Sequence, residues 1–203
     1  MKNTFEKYMQ ECPLIAILRG ITTAEIPAVC DALYSTGIKL LEIPLNSPDA
    51  CGSISAAIKY CGERQMVGAG TVLSVEDVNN VYSAGGKFII SPNTDPEVIK
   101  ETKRLGMLSI PGFFTASEAF AARKAGADYL KLFPAILGPS YIKDLKAVIK
   151  APILAVGGVN TENLPQFIEV CAGAGIGSAL YKPGKTPDGI AAAAKAMVEA
   201  IKN

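Results

Sequence analysis

The chain has 203 residues, 49% hydrophobic and 19% charged, with a net charge of +1 and a mean hydropathy of +0.27. Near-neutrality without a basic run argues against a nucleic-acid or anionic-membrane partner, and no stretch reaches the ~18–20 apolar residues that span a bilayer. Histidine is absent, which excludes Ser-His-Asp and Cys-His hydrolases, a histidine base and His-ligated zinc or iron.

Met1–Cys12 reads as an extra N-terminal helix. Short β-type runs then follow at Leu14–Leu18, Leu40–Ile43, Met66–Gly68, Phe88–Ser91, Met107–Ile110, Tyr129–Phe133, Ile153–Val156 and Ile176–Leu180. Between most of them an amphipathic helix ends on a glycine: Gly37, Gly62, Gly85, Gly106 and Gly126. Helix starts are marked by Thr22-x-x-Glu25, Ser74-x-x-Asp77 and Thr115-x-x-Glu118, which resemble capping boxes. Asp95-Pro96 and Thr186-Pro187 set a capping residue before a first-turn proline. Eight strands alternating with helices in so short a chain predict one α/β domain over residues 1–203, a single (β/α)8 TIM barrel with little insertion. A doubly wound open sheet is the alternative. The early apolar run is interrupted by Arg19 and lacks a signal-peptide cleavage pattern. Five cysteines without a C-x-x-C pair read as small buried hydrophobes of a cytoplasmic protein.

Lys131 stands alone in the apolar run Tyr129-Leu-Lys-Leu-Phe-Pro134. A cation there is costly unless it is paired or loses its proton. Lowering a lysine pKa from ~10.4 to ~7 corresponds to about 4–5 kcal/mol, within reach of desolvation, and a neutral amine is what a Schiff-base nucleophile requires. The alternative is a strand lysine turned out to water or holding a phosphate. In a barrel the active site lies at the C-terminal strand ends, and those positions hold Arg19-Gly20, Glu42, Gly70-Thr71, Ser91-Pro92-Asn93, Pro111-Gly112-Phe113, Lys131, Gly157-Gly158 and Gly177-Ser178. Glu42 reads either as an acid–base group or as a buried salt-bridge partner of Arg19 or Lys131. Gly173-Ala-Gly-Ile-Gly-Ser178 superficially resembles a dinucleotide fingerprint, but no βαβ unit follows it to supply the ribose-binding acid. Glycine-rich loops after the last two strands fit a phosphorylated ligand better, with Ser178 adding a hydroxyl donor.

These segments together resemble the class I aldolases that cleave 2-keto-3-deoxy-6-phosphogluconate (KDPG) and 2-keto-3-deoxy-6-phosphogalactonate (KDPGal). The motifs are Ile15-Ala-Ile-Leu-Arg19-Gly20, Glu42-Ile-Pro-Leu-Asn-Ser-Pro48, Gly68-Ala-Gly-Thr-Val72, Ser91-Pro-Asn93, Lys131-Leu-Phe-Pro134, Ala155-Val-Gly-Gly-Val159 and Gly173–Ser178, spread over essentially the whole chain. The resemblance implies that Lys131 forms the Schiff base and Glu42 moves protons. It also implies that Arg19, Thr71, Pro92, Phe133 and Val156 surround the substrate, and that Gly157, Gly158, Gly177 and Ser178 hold its phosphate. It implies no cofactor or metal, a small phosphorylated keto-deoxy sugar acid as substrate, and a homotrimer. Two departures set the subtype. Asn46 stands where KDPG-type members carry an arginine, and Val156 where they commonly carry threonine; both point to KDPGal, with KDPG or 4-hydroxy-2-oxoglutarate as alternatives. Arg19 then either binds substrate or holds Glu42 charged. Phe113-Phe114 replaces smaller residues and is expected to narrow the pocket mouth. A non-covalent phosphosugar isomerase or a phosphosugar-binding sensor on the same barrel are the readings of other classes.

Overall fold

Helix and strand alternate along the chain as the hydrophobic pattern predicts. The computed structural model describes residues 1–202. It runs α1 (Lys2–Glu11), β1 (Leu14–Ile17), α2 (Ile26–Tyr34), β2 (Leu40–Pro44), α3 (Ala50–Cys61), β3 (Met66–Gly70), α4 (Val75–Ser83), β4 (Phe88–Ile90) and α5 (Pro96–Arg104). The second half continues β5 (Leu108–Ile110), β6 (Gly112–Phe113), α6 (Ala116–Ala125), β7 (Leu130–Leu132), α7 (Gly138–Val148), β8 (Ile153–Val156), α8 (Leu164–Val170), β9 (Gly173–Ile176) and α9 (Pro187–Ala200). The capping signals form as expected. Thr22–Glu25, Ser74–Asp77 and Thr115–Glu118 make reciprocal boxes, and Asp95 and Thr186 cap α5 and α9 ahead of their prolines.

Every strand pairing is parallel, in the order β5-β4-β3-β2-β1-β9-β8-β7-β6. β5 and β6 are one extended segment divided at Pro111, which has no N–H to give to a ladder. Ile110 O accepts from Ser91 N at 3.3 Å on one side, and Pro111 O accepts from Lys131 N at 2.9 Å on the other. That segment joins the two ends of the sheet order, so the assigned strands form an eight-membered barrel.

The last barrel strand is Gly173–Ile176 rather than the expected Ile176–Leu180, where the chain has already turned. Glycines are poor strand formers and hide such a segment from a propensity reading. Here the packing requires them: a Cβ on Gly173 would lie 2.5 Å from the Pro13 carbonyl oxygen, and one on Gly175 would lie 2.9 Å from Val156 Cγ2.

Period-two alternation separates two apolar layers. Leu14, Ala16, Leu41, Ile43, Leu130 and Leu132 pack in one cluster with residues of the surrounding helices. Ile15, Leu40, Met66, Phe88, Leu108, Tyr129 and Leu154 form a second cluster inside the barrel, together with Phe5, Tyr8 and Met9 of α1. Phe5 is fully buried, with ring centroids 5.6 Å from Phe88 and 5.1 Å from Tyr129 in edge-on contact. The amphipathic N-terminal helix therefore plugs the end of the barrel where the strands begin. Cys12, Cys30 and Cys61 are buried as expected, whereas Cys51 and Cys171 are only partly so; all five are free thiols. No helix among the described residues is long and apolar enough to cross a membrane.

If the plug closes the barrel floor, Phe5→Ala should lower the unfolding free energy by about 3–5 kcal/mol, as for other large core truncations. Urea denaturation measures this, and a loss below about 1 kcal/mol would mean that α1 is dispensable to the core.

Candidate active site

The alternation that buries Tyr129 inside the barrel also turns Lys131 and Phe133 inward, one and two steps nearer the C-terminal end. Lys131 is 6% exposed and does not reach the surrounding solvent as a surface lysine would. On β2 the same rule places Glu42 two residues beyond the interior Leu40, and Glu42 is 2% exposed. Its carboxyl occupies space left by Gly70 on the neighbouring strand, where any Cβ would collide with it.

These groups open onto a cavity of about 600 Å³ at the C-terminal strand ends. Arg19, Glu42, Thr71, Pro92, Lys131, Phe133, Val156, Gly157, Gly158, Gly177 and Ser178 all line it, so all eleven site positions expected from the sequence fall together. Lys131 Nζ lies 4.7 Å from the centroid of the Phe133 ring, within cation–π range. The ion pairs among the described residues include neither Lys131 nor Glu42. The two groups face one cavity without being locked together.

Burial acts on them in opposite senses. Desolvation lowers the Lys131 pKa, Glu42 opposes that, and Arg19 adds to it. Desolvation raises the Glu42 pKa against the pull of Lys131 and Arg19. The two titrations are pushed toward one another, favouring a neutral amine beside a protonated carboxyl.

Arg19 contacts neither of these side chains as an ion pair. Its Nη1 donates to Asn46 Oδ1 at 2.6 Å, and the next residue, Gly20, donates its N–H to Ser47 Oγ at 2.8 Å. The loop after β2 is thereby latched onto the end of β1. Thr71, the residue just beyond β3, has φ 56°, a left-handed conformation that costs a β-branched residue about 1–3 kcal/mol.

The loop after β8 turns through Gly157 and Gly158 at φ 91° and 80°. Asn163 Nδ2 donates to Gly158 O at 2.9 Å while its Oδ1 accepts from Asn160 N at 2.9 Å, bracing that turn. Across the cavity the chain leaves β9 through Gly177 and Ser178. Among the described residues the N–H groups of Gly158, Ser178 and Ala179 have no acceptor within the protein. Such clustered free donors suit an anion.

Two details differ from expectation. Gly173–Ile176 is strand, so only Gly177 and Ser178 of that glycine-rich motif belong to the loop beyond it. Phe113 and Phe114 do not narrow the pocket. Phe113 is buried in the outer layer and Phe114 packs on Tyr141 at 6.1 Å, and neither lines the cavity. Ile17, Tyr181, Lys182 and Pro183 also line it and carry no motif that marks them in the sequence. Strand alternation past Ile15 points to Ile17; the others follow from the strand ending at Ile176.

Residues 5–191 match the family model for aldolases of the KDPG and KHG type. The chain is 46% identical over 200 residues to the 2-dehydro-3-deoxy-6-phosphogalactonate aldolase of Escherichia coli (strain K12), covering 97% of this chain and 98% of that one. A solved native KDPGal structure superposes with a TM-score of 0.92 at 46% identity, covering 95% of each chain. A cube-shaped cage designed by fusing symmetric oligomeric domains contains a chain with a TM-score of 0.91 and 47% identity, covering 94% of this chain and 72% of that one. With its barrel, its buried lysine and carboxylate and these relatives, the chain belongs to the KDPG and KHG aldolase family.

Proposed function

We propose that this protein is a class I aldolase that cleaves KDPGal to pyruvate and glyceraldehyde 3-phosphate. The observation that carries the reading is a buried lysine with a lowered pKa and a buried carboxyl with a raised one, facing the same cavity. Lys131 Nζ attacks the C2 ketone to give a carbinolamine, and loss of water leaves an iminium that withdraws electrons from C3. Glu42 gives a proton to the departing hydroxyl and, as carboxylate, takes the proton of the C4 hydroxyl. The C4–O–H electrons then become the aldehyde carbonyl as the C3–C4 bond breaks. Glyceraldehyde 3-phosphate leaves, the enamine is protonated at C3, and water releases pyruvate from Lys131.

The remaining roles follow the polarity of the cavity. Thr71, Pro92 and Arg19 border the pyruvyl end, with Phe133 packed against the Lys131 amine. Gly157, Gly158, Gly177 and Ser178 receive the phosphate through N–H and hydroxyl donors. The substrate epimer rests on Asn46 and Val156: Val156 offers no hydroxyl to the sugar, and the relative at 46% identity over nearly the whole chain carries the phosphogalactonate name. We further infer one barrel domain over residues 1–203, working in the cytoplasm as a homotrimer. Five unpaired thiols are consistent with that compartment. Exposed Leu73, Ile136 and Leu137 on loops beyond β3 and β7, together with the resemblance to a component of a cage built from symmetric oligomers, support an assembled form.

Incubation with pyruvate followed by borohydride should leave a pyruvyl adduct confined to Lys131 in a peptide mass map, and Lys131→Met should abolish both adduct and turnover. A folded wild-type protein at saturating pyruvate that gives no adduct would overturn the covalent mechanism.

The charges around Lys131 also fix the pH dependence. Imine formation needs the free amine, so its rate should climb with pH through a midpoint below 10.5, the ordinary lysine value. Arg19 lowers the Lys131 pKa, so Arg19→Met should move that midpoint up. Glu42 raises it, so Glu42→Gln should move the midpoint down while slowing turnover by about 10²–10⁴-fold. Opposite or absent shifts would separate these residues from the amine.

Comparison of kcat/KM for the two epimers should favour KDPGal, and Val156→Thr should narrow the difference. A preference for KDPG would reassign the substrate and leave the Schiff-base chemistry standing.

A further inference from the structure

Three cationic side chains line the cavity, Arg19, Lys131 and Lys182, against the single acid Glu42. Two of them are spoken for. Lys131 is the buried amine, and Arg19 is tied to Asn46 with its field reaching both Lys131 and Glu42. Lys182 stands apart from that group. Its charge is not among those acting on Lys131 or Glu42, and among the described residues its side chain has no ion pair or hydrogen bond, while its carbonyl accepts from Lys185 N at 3.1 Å.

Its backbone is nonetheless fixed from both sides. Tyr181, the residue before it, is buried with its hydroxyl 3.2 Å from Glu25 Oε1. Pro183, the residue after it, packs so closely over Gly20 that a Cβ there would lie 2.8 Å from Pro183 Cγ. Lys185 Nζ donates to Leu180 O at 2.9 Å and closes the same loop on itself. This exposed lysine on a braced loop, four residues beyond Ser178, lines the same cavity as Ser178 and Ala179, whose N–H groups have no acceptor among the described residues. Clustered N–H donors already favour an anion, and a cation beside them adds an attraction that only the charged end of a substrate can use.

We propose that Lys182 is the phosphate-selecting residue of this cavity, the side chain that makes the enzyme prefer a 6-phosphorylated keto-deoxy acid over its unphosphorylated counterpart. The assignment rests on the aldolase reading above. With C2 held at Lys131, the carboxylate at C1 falls under the field of Arg19, and the far end of the six-carbon chain is directed toward the loops beyond β8 and β9. Among the described residues, Lys182 is the lining cation that is neither the buried amine nor tied to Asn46, and it follows the strand that leads into Gly177 and Ser178.

The test compares kcat/KM for KDPGal and for unphosphorylated 2-keto-3-deoxygalactonate in wild type, Lys182→Gln and Lys182→Arg. The ratio of the two is read, because a merely structural lesion lowers both alike. Lys182→Gln should reduce the ratio about 10- to 100-fold, mostly through KM of the phosphorylated compound, and Lys182→Arg should restore most of it. An unchanged ratio in Lys182→Gln, with wild type active and phosphate-selective, overturns the assignment alone. Wild type that cleaves neither compound overturns the substrate reading and this assignment with it.

Discussion

Everything at the working end of this barrel follows from burying an amine and a carboxyl in one apolar interior. Either group alone in that position would carry a desolvation cost of several kcal/mol if charged. Together they are attracted to one another, but not at ion-pair distance, so the attraction only partly offsets the loss of water. The compromise is a pair whose titrations approach each other. That condition gives a lysine able to attack a carbonyl and a carboxyl able to hand over a proton at the same pH.

The rest of the fold supplies what such a pair needs. Beneath it, α1 closes the barrel with Phe5 wedged between Phe88 and Tyr129, keeping the floor dry. Beside it, Gly70 leaves room for the carboxyl, and Gly175 leaves room for Val156 and Ile17. Above it, Thr71 is held in a left-handed conformation whose cost the surrounding core must absorb. Local departures from good strand chemistry (two glycines, a strained threonine and Pro111 breaking the β5–β6 segment) cluster where the chemistry is. The well-formed alternation of large aliphatic side chains lies elsewhere.

That distribution explains what could be read in advance. Strands of Val, Ile and Leu bounded by helix caps were legible because propensity and burial agree there, and Lys131 and Glu42 were legible because each interrupts an apolar run. The last strand lies elsewhere for the opposite reason: Gly173-Ala-Gly-Ile has little strand propensity, and it is the neighbouring Pro13 carbonyl, Val156 and Ile17 that make glycine necessary. Phe113 was assigned to the pocket because it follows Pro111-Gly112, yet its neighbour across the ladder is Leu132, an outward residue, and it shares that orientation. Lys182 escaped notice because no local pattern marks a lysine in a loop; its significance comes from the bracing of Tyr181 and Pro183 by residues at the other end of the chain.

Asn46 fits the same electrostatic balance. A second guanidinium beside Arg19 would lower the Lys131 pKa further, but it would also draw Glu42 toward its ionised form. Asn46 instead accepts a hydrogen bond from Arg19 and orients its guanidinium. The pyruvyl end of the cavity then carries a single fixed cation next to the reactive pair. Under the assignment proposed for Lys182, the second cation is one that is not among the charges acting on Lys131 or Glu42. Discrimination between substrates and tuning of the nucleophile are thereby separated along the length of the substrate.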